Sequence, residues 1–106
     1  MMNEIKDIIE KIKKSLANTA PGAQTILYGS YARGDYHNES DIDLLILVDT
    51  DKITREDEKK ITYPLYDIEF KTGKVISPII KTKKDWNSIY PATPLYKNVT
   101  AEGIPI

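Results

Sequence analysis

The chain has 106 residues and a formal net charge of -1, with 41% apolar and 29% charged residues. This length suits one domain with a modest core, so we expect a single domain over residues 1–106. The balanced charge argues against a protein that binds nucleic acid through its phosphates, because such proteins usually carry a basic excess. The sequence has no cysteine, which excludes disulfides and thiolate metal sites, and His37 is its single histidine.

Nothing in the sequence predicts a membrane protein. The first residues carry charges at short intervals, unlike a signal peptide. The longest apolar run, Leu44–Val48, is far too short to span a bilayer. We therefore expect a cytoplasmic protein with no membrane partner.

The first half of the chain predicts a helix and two strands. Apolar residues recur at helical spacing from Asn3 to Leu16, which predicts an amphipathic helix. Asp41–Val48 is apolar on both faces, as in the central strand of a sheet. Between these two elements we expect a strand at Gln24–Tyr28, a helical turn at Tyr31–Gly34 and a polar loop at Asp35–Ser40.

The second half predicts further helices and strands, and the whole order is typical of an α+β, or mixed α/β, fold. Thr54–Tyr63 resembles a surface helix that Pro64 stops. Leu65–Lys71 alternates as a strand does. We also expect a strand at Val75–Ile80 with Pro78 marking an edge or bulge, a helix at Lys83–Tyr90, and a last helix that Pro94 opens and Gly103 ends.

A glycine and a serine follow the first predicted strand, at Gly29-Ser30. Because Gly29 has no side chain, the backbone there can bend sharply and let a phosphate approach closely. Ser30 offers a hydroxyl and an amide suited to an anion, and Arg33 could add a charge-assisted contact. Taken alone, this segment is equally compatible with an ordinary turn.

Two aspartates, Asp41 and Asp43, open the predicted central strand. Residues two apart on a strand point to the same face, with Cα atoms about 6 to 7 Å apart. Carboxylates so placed can share Mg²⁺, and a pair of such ions can stabilise the attacking and leaving oxygens of a phosphoryl displacement. For an isolated D-x-D pattern, a solvated strand end is the alternative interpretation.

The two parts together are more specific than either alone, since G-S, ten residues and D-x-D follow in order. This arrangement resembles the nucleotidyltransferase superfamily typified by the β-type DNA polymerases. The fuller string, GSYARG followed by SDIDLLI, is similar to its smallest branch, the minimal nucleotidyltransferases. The close similarity covers about Ile26 to Val48.

The resemblance implies a short mixed β-sheet flanked by helices, as in the palm of polymerase β. It implies that Gly29 and Ser30 hold the triphosphate of a nucleotide, which is also the group that Arg33 could contact. It also implies that Asp41 and Asp43 bind divalent metal, two Mg²⁺ ions, with ATP as the expected substrate.

A third carboxylate, on a neighbouring strand, completes the site in this family and helps to deprotonate the acceptor. Asp67 and Glu69 share one face of the predicted strand Leu65–Lys71. The family usually has an aspartate opening such a strand, which favours Asp67 as the third catalytic and metal-binding residue. Glu69 is the reserve, and solvated acids on a half-exposed strand are the alternative.

Other residues near the motif have simpler interpretations. One of Tyr28, Tyr31 and Tyr36 could contact a nucleotide base, although packing is the simpler explanation for them. We expect His37 to be solvated rather than to act as a base, and Trp86 to pack in the core.

The resemblance implies an enzyme that moves a nucleoside monophosphate, AMP from ATP, onto a hydroxyl. The chain is too short for a second substrate-binding domain, so we expect another protein to supply the acceptor. Many minimal nucleotidyltransferases are encoded beside a HEPN-family toxin, which predicts an antitoxin that modifies a toxin tyrosine. The alternative is a nucleotidyltransferase-like antitoxin that neutralises its partner by contact alone. The nucleotide base and the association of the chain with further copies of itself stay open.

Overall fold

The computed structural model describes residues 2–106, with side chains from Glu4 onward. Helices and strands alternate along this part of the chain. Their order is α1 (Met2–Thr19), β1 (Gln24–Tyr28), α2 (Ser30–Arg33), β2 (Ile42–Val48), α3 (Arg55–Thr72), β3 (Ile76–Thr82), α4 (Lys83–Ser88), α5 (Pro94–Glu102) and β4 (Ile104–Pro105). The expected α+β fold is confirmed. None of the described helices is both long enough and apolar enough to cross a membrane.

The four strands form one mixed sheet in the order β3-β2-β1-β4. β2 is antiparallel to β1 and parallel to β3, so it lies inside the sheet with a partner on each side. This position explains why the run Leu44–Val48 is buried on both of its faces. The predicted central strand is therefore confirmed, and so is the edge position of the strand that contains Pro78.

Helices cover both faces of the sheet. α1 and α3 pack against the face that presents Ile42, Leu44 and Ile46. The opposite face presents Leu45 and Leu47 to residues of α4 and α5. Alternate residues of β2 therefore serve two separate cores, as the period of a strand requires. The predicted apolar stripe of α1 is buried in the first core.

The predicted strand Leu65–Lys71 is wrong, because these residues form the second half of α3. Thr54 and Asp57 make the reciprocal capping box that starts the helix, as expected. The helix then continues through Pro64 and ends at Gly73, whose φ of 74° closes the last turn. Pro64 leaves one helical hydrogen bond unmade but does not stop the helix.

Packing explains why the helix continues. Ile61, Leu65 and Ile68 recur at helical spacing and pack into the first core. That burial outweighs the local cost of Pro64. The alternation from Tyr66 to Phe70 was misleading, because Phe70 is 90% exposed and belongs to no core face.

The end of the chain adds a strand that the sequence did not predict. The last helix begins at Pro94 and Gly103 follows it, as expected, whereas α4 ends at Ser88, before the expected Tyr90. Beyond Gly103, β4 pairs with β1, with Pro105 beside Ile26. Each edge strand of the sheet, β3 and β4, thus contains a proline.

Pro64→Ala tests the continuous α3 helix. Alanine restores the missing N–H and removes the clash of the proline ring with the preceding turn. We expect the free energy of unfolding to rise by about 1 to 3 kcal/mol in a denaturant titration. Pro94→Ala is the matched control, because proline is favoured at the first position of a helix and its replacement there should bring no such gain. An unchanged stability for Pro64→Ala would contradict the helix.

Candidate functional site

The chain turns sharply at Gly29, directly after β1. Gly29 has a φ of 78°, a conformation that favours glycine, and its carbonyl accepts hydrogen bonds from the amides of Ala32 and Arg33. These bonds start the single turn of α2, as expected. A Cβ built on Gly29 would collide with Oδ2 of Asp43. The bare backbone of Gly29 is therefore what lets the Asp43 carboxylate lie against the turn.

The pairing of β1 with β2 brings the two halves of the motif together. Tyr28 lies opposite Asp43 in the antiparallel register, so the end of β1 lies beside the beginning of β2. Ile42 points into the first core with no exposed surface, and Asp43 therefore faces the other side of the sheet. Ser77 is the partner of Asp43 on β3, and its hydroxyl donates to Oδ2 of Asp41 at 3.4 Å. Both aspartates thus adjoin Ser77.

The loop before β2 fixes where Asp41 enters the strand. The backbone N–H of His37 donates to the buried hydroxyl of Ser40 at 2.8 Å, and the N–H of Ser40 donates to the carbonyl of His37. The backbone N–H of Ile42 then donates to the carbonyl of Val75, and this bond begins the pairing of β2 with β3. The His37 ring is exposed, and its Nδ1 accepts a hydrogen bond from the backbone N–H of Glu39, so His37 contributes to the structure of this loop.

Like charges meet at the aspartate pair. Burial raises the pKa of Asp43, and the negative charge of Asp41 raises it further. The guanidinium of Arg33 opposes this shift, while Glu102 adds to it. Burial and the Asp43 charge also raise the pKa of the half-buried Tyr28. Two carboxylates that repel each other in this way fit a hard divalent cation, because Mg²⁺ is commonly held by one or two carboxylates together with substrate phosphates.

The structure does not bring Asp67 or Glu69 to this pair. Both lie on α3, which covers the opposite face of the sheet from Asp43. Asp67 is exposed, and Glu69 accepts a hydrogen bond from the amide of Ile76 at 2.8 Å. The assignment of a third carboxylate depended on a strand at Leu65–Lys71, but these residues are helical. The strand parallel to β2 is β3, and it carries Ser77 opposite Asp43. Among the described side chains, no three His, Asp or Glu residues lie close enough together to hold a metal ion.

Glu102, at the end of α5, was not predicted and contacts the site directly. Its Oε1 accepts from the backbone N–H of Gly29 at 3.3 Å. Nη1 of Arg33 donates to both of its carboxylate oxygens, at 3.0 and 3.2 Å. No sequence signal marks this contact, because the pairing of β4 with β1 brings together residues 73 positions apart.

The remaining aromatic residues pack as their simpler interpretation predicts. Tyr31 is buried and stacks on Tyr36 with 4.5 Å between ring centroids. Trp86 is buried in the second core. Of the three tyrosines near the motif, Tyr28 is the one on the same face as Asp43.

Comparison with known protein families agrees with this geometry. The model of the nucleotidyltransferase domain matches residues 9–102, which include the Gly29 turn and both aspartates. The chain belongs to this family. It is 42% identical over 82 residues to MJ0141 of Methanocaldococcus jannaschii, a provisionally assigned protein adenylyltransferase, covering 76% of this chain and 82% of the relative.

Solved structures show the same fold at lower identity. A toxin–antitoxin structure with AMP-PNP superposes with a TM-score of 0.65 and 22% identity over 91% of this chain and 69% of the other. A mutant of the toxin–antitoxin pair MntA–HpeT superposes with a TM-score of 0.63 and 18% identity, with the same coverage. At these identities the likeness establishes the nucleotidyltransferase fold.

Asp43→Asn is expected to stabilise the protein in the absence of metal. A raised native pKa means that Asp43 gives up its proton less readily when folded than when unfolded, so its ionisation lowers stability as the pH rises above about 4. The asparagine variant escapes this loss. Thermal unfolding in a chelator from pH 4 to pH 7 should show its advantage over wild type growing with pH. Excess Mg²⁺ should reverse the order by stabilising the wild type. A constant difference across this pH range would contradict the raised pKa of Asp43.

Proposed function

We propose that this chain transfers AMP from ATP to a hydroxyl group of a partner protein. The observation that carries the proposal is the packing of the Asp43 carboxylate against the Gly29 turn, which joins a carboxylate pair and a turn suited to phosphate in one site. The family match and the assignment of MJ0141 as a protein adenylyltransferase support the reaction type.

In the proposed reaction the acceptor oxygen bonds to the α-phosphorus of ATP. The bond from that phosphorus to the oxygen bridging to the β-phosphate breaks, and pyrophosphate leaves with the bonding electrons. The acceptor proton passes to a carboxylate of the site. Gly29, Ser30 and Arg33 would bind and orient the phosphates. Asp41 and Asp43 would hold Mg²⁺, which when bound neutralises charge that develops on the phosphate oxygens.

The proposed acceptor is a tyrosine of a HEPN-family toxin, which makes the chain an antitoxin. The described residues form one sheet and the helices that cover it, and we propose that a second protein presents the acceptor. The fold shared with two toxin–antitoxin structures is compatible with this role.

A second function, neutralisation by contact alone, is favoured by one observation. Ser77, rather than a carboxylate, stands beside Asp43 on the strand that neighbours β2. A site whose strands supply two carboxylates, Asp41 and Asp43, has fewer metal ligands, and the acceptor proton would have to pass to one of those same ligands. In that case the chain would bind its toxin without modifying it.

The double substitution Asp41→Asn with Asp43→Asn separates the two functions. It removes the proposed metal ligands, so transfer should fall by about 100-fold or more, the usual cost of losing preorganised electrostatic stabilisation. The measurement is the intact mass of the co-expressed toxin, together with its residual toxicity. Asp67→Asn is the control, since it makes one Asp→Asn change on the opposite layer and should leave transfer unchanged.

The results of this experiment distinguish catalysis from neutralisation by contact alone. Loss of both transfer and neutralisation supports the enzyme. Neutralisation that survives in the double variant, with no mass added by the wild type, supports contact alone. A folded double variant that transfers at the wild-type rate would show that Asp41 and Asp43 are not the metal ligands.

Ser30→Ala tests the phosphate contact. The side chain of Ser30 belongs to neither core, so its loss should affect nucleotide binding more than folding. We expect the affinity for a non-hydrolysable ATP analogue with Mg²⁺ to weaken by about 0.5 to 3 kcal/mol in calorimetric titrations. Ser88→Ala, on the exposed end of α4, serves as the control. Equal affinities for Ser30→Ala and wild type would leave Gly29-Ser30 as a plain turn.

A further inference from the structure

Glu102 places a carboxylate where the proposed function places phosphate. Its oxygens accept hydrogen bonds from the backbone N–H of Gly29 and from Nη1 of Arg33. These donors are two of the groups assigned above to the triphosphate. A carboxylate and a phosphate both offer anionic oxygens to such donors, and Arg forms charge-assisted hydrogen bonds with either. Donors engaged by Glu102 are unavailable to a nucleotide.

We propose that Glu102 is an internal competitor for the phosphate site, held there until a nucleotide triphosphate displaces it. The proposal rests on the proposed function, because that function assigns Gly29 and Arg33 to phosphate. Glu102 is then a residue that determines which anions enter. An orthophosphate gains few contacts and cannot compete well, whereas a triphosphate with Mg²⁺ gains contacts to the aspartate pair as well.

The location of Glu102 restricts this displacement to its side chain. Gly103 packs so closely against Val99 and Ile26 that no Cβ would fit there. Its N–H donates to the carbonyl of Val99, and β4 pairs with β1 directly afterwards. The backbone on the carboxyl side of Glu102 is thus held by hydrogen bonds and close packing. The side chain retains 19% of its surface exposed, which leaves it a direction in which to rotate away.

Charge explains why the displaced state is favoured once a nucleotide is bound. Glu102 adds its negative charge to that of Asp41 and Asp43, and Arg33 is the cation that it contacts. A triphosphate that takes over Arg33 would leave Glu102 facing phosphate oxygens without a partner. Repulsion then drives the carboxylate towards solvent.

Glu102→Gln tests the proposal, because glutamine keeps the size and removes the charge. The probes are a non-hydrolysable ATP analogue with Mg²⁺, inorganic triphosphate and orthophosphate, each titrated by calorimetry at low salt. We expect Glu102→Gln to bind both triphosphates roughly two- to tenfold more tightly than wild type, and the gain to shrink with added salt. Orthophosphate should bind the variant measurably better than it binds the wild type. Glu10→Gln, an exposed glutamate paired with Lys13, is the control with the same change in net charge and should bind as wild type does.

Unchanged or weaker triphosphate binding by Glu102→Gln would overturn the proposal, and weaker binding would make Glu102 a positioning residue or a metal ligand. A second measurement uses the wild type. On saturation with inorganic triphosphate, the NMR signals of the Gly29 amide and the Glu102 carboxyl carbon should both move. If both NMR signals stay in place while triphosphate binds, the displacement of Glu102 is also wrong.

The outcome is distinguishable from failure of the proposed function. If Glu102→Gln binds triphosphate more tightly than wild type but the wild type adds no mass to its toxin, the role of Glu102 as a competitor stands and the proposed transfer reaction is wrong. If the wild type modifies its toxin but Glu102→Gln binds triphosphate no better, the transfer reaction stands and the role of Glu102 as a competitor is wrong. If neither form binds triphosphate, the competitor is wrong.

Discussion

The site depends on one contact, that of the Asp43 carboxylate with the bare backbone of Gly29. The antiparallel register sets Tyr28 opposite Asp43, so the turn after β1 meets the beginning of β2. The positive φ of Gly29 then turns the chain into α2, and the missing Cβ leaves room for the carboxylate. Any side chain at position 29 would have to push Asp43 away, so the two halves of the motif are parts of a single packing arrangement.

The same contact gathers negative charge that the protein alone does not neutralise. The charges of Asp41 and Glu102 both act on Asp43, and the cation Arg33 opposes them. Such an arrangement lowers the stability of the ligand-free protein and raises the gain when a cation or a nucleotide binds. Sites of this kind commonly trade stability for function. The two apolar cores on either side of the sheet offset that cost.

The sequence predicted the part of the site that is local. Gly29, Ser30, Asp41 and Asp43 lie within fifteen residues of one another, and a short strand pairing brings them together. It failed at α3, where Pro64 and an alternation of polar and apolar residues outweighed the helical spacing of Ile61, Leu65 and Ile68. It also missed Glu102, because a two-residue strand carries too little pattern to predict the pairing that brings the end of α5 to Gly29.

The prolines at the two sheet edges bear on how this chain meets other proteins. An edge strand with free N–H and C=O groups invites another chain to add a strand, and it is also where aggregation starts. Pro78 on β3 and Pro105 on β4 each lack an N–H, so neither edge offers an uninterrupted ladder. Strand addition is therefore disfavoured on both sides, which favours recognition through side chains on the helical layers or at the site itself.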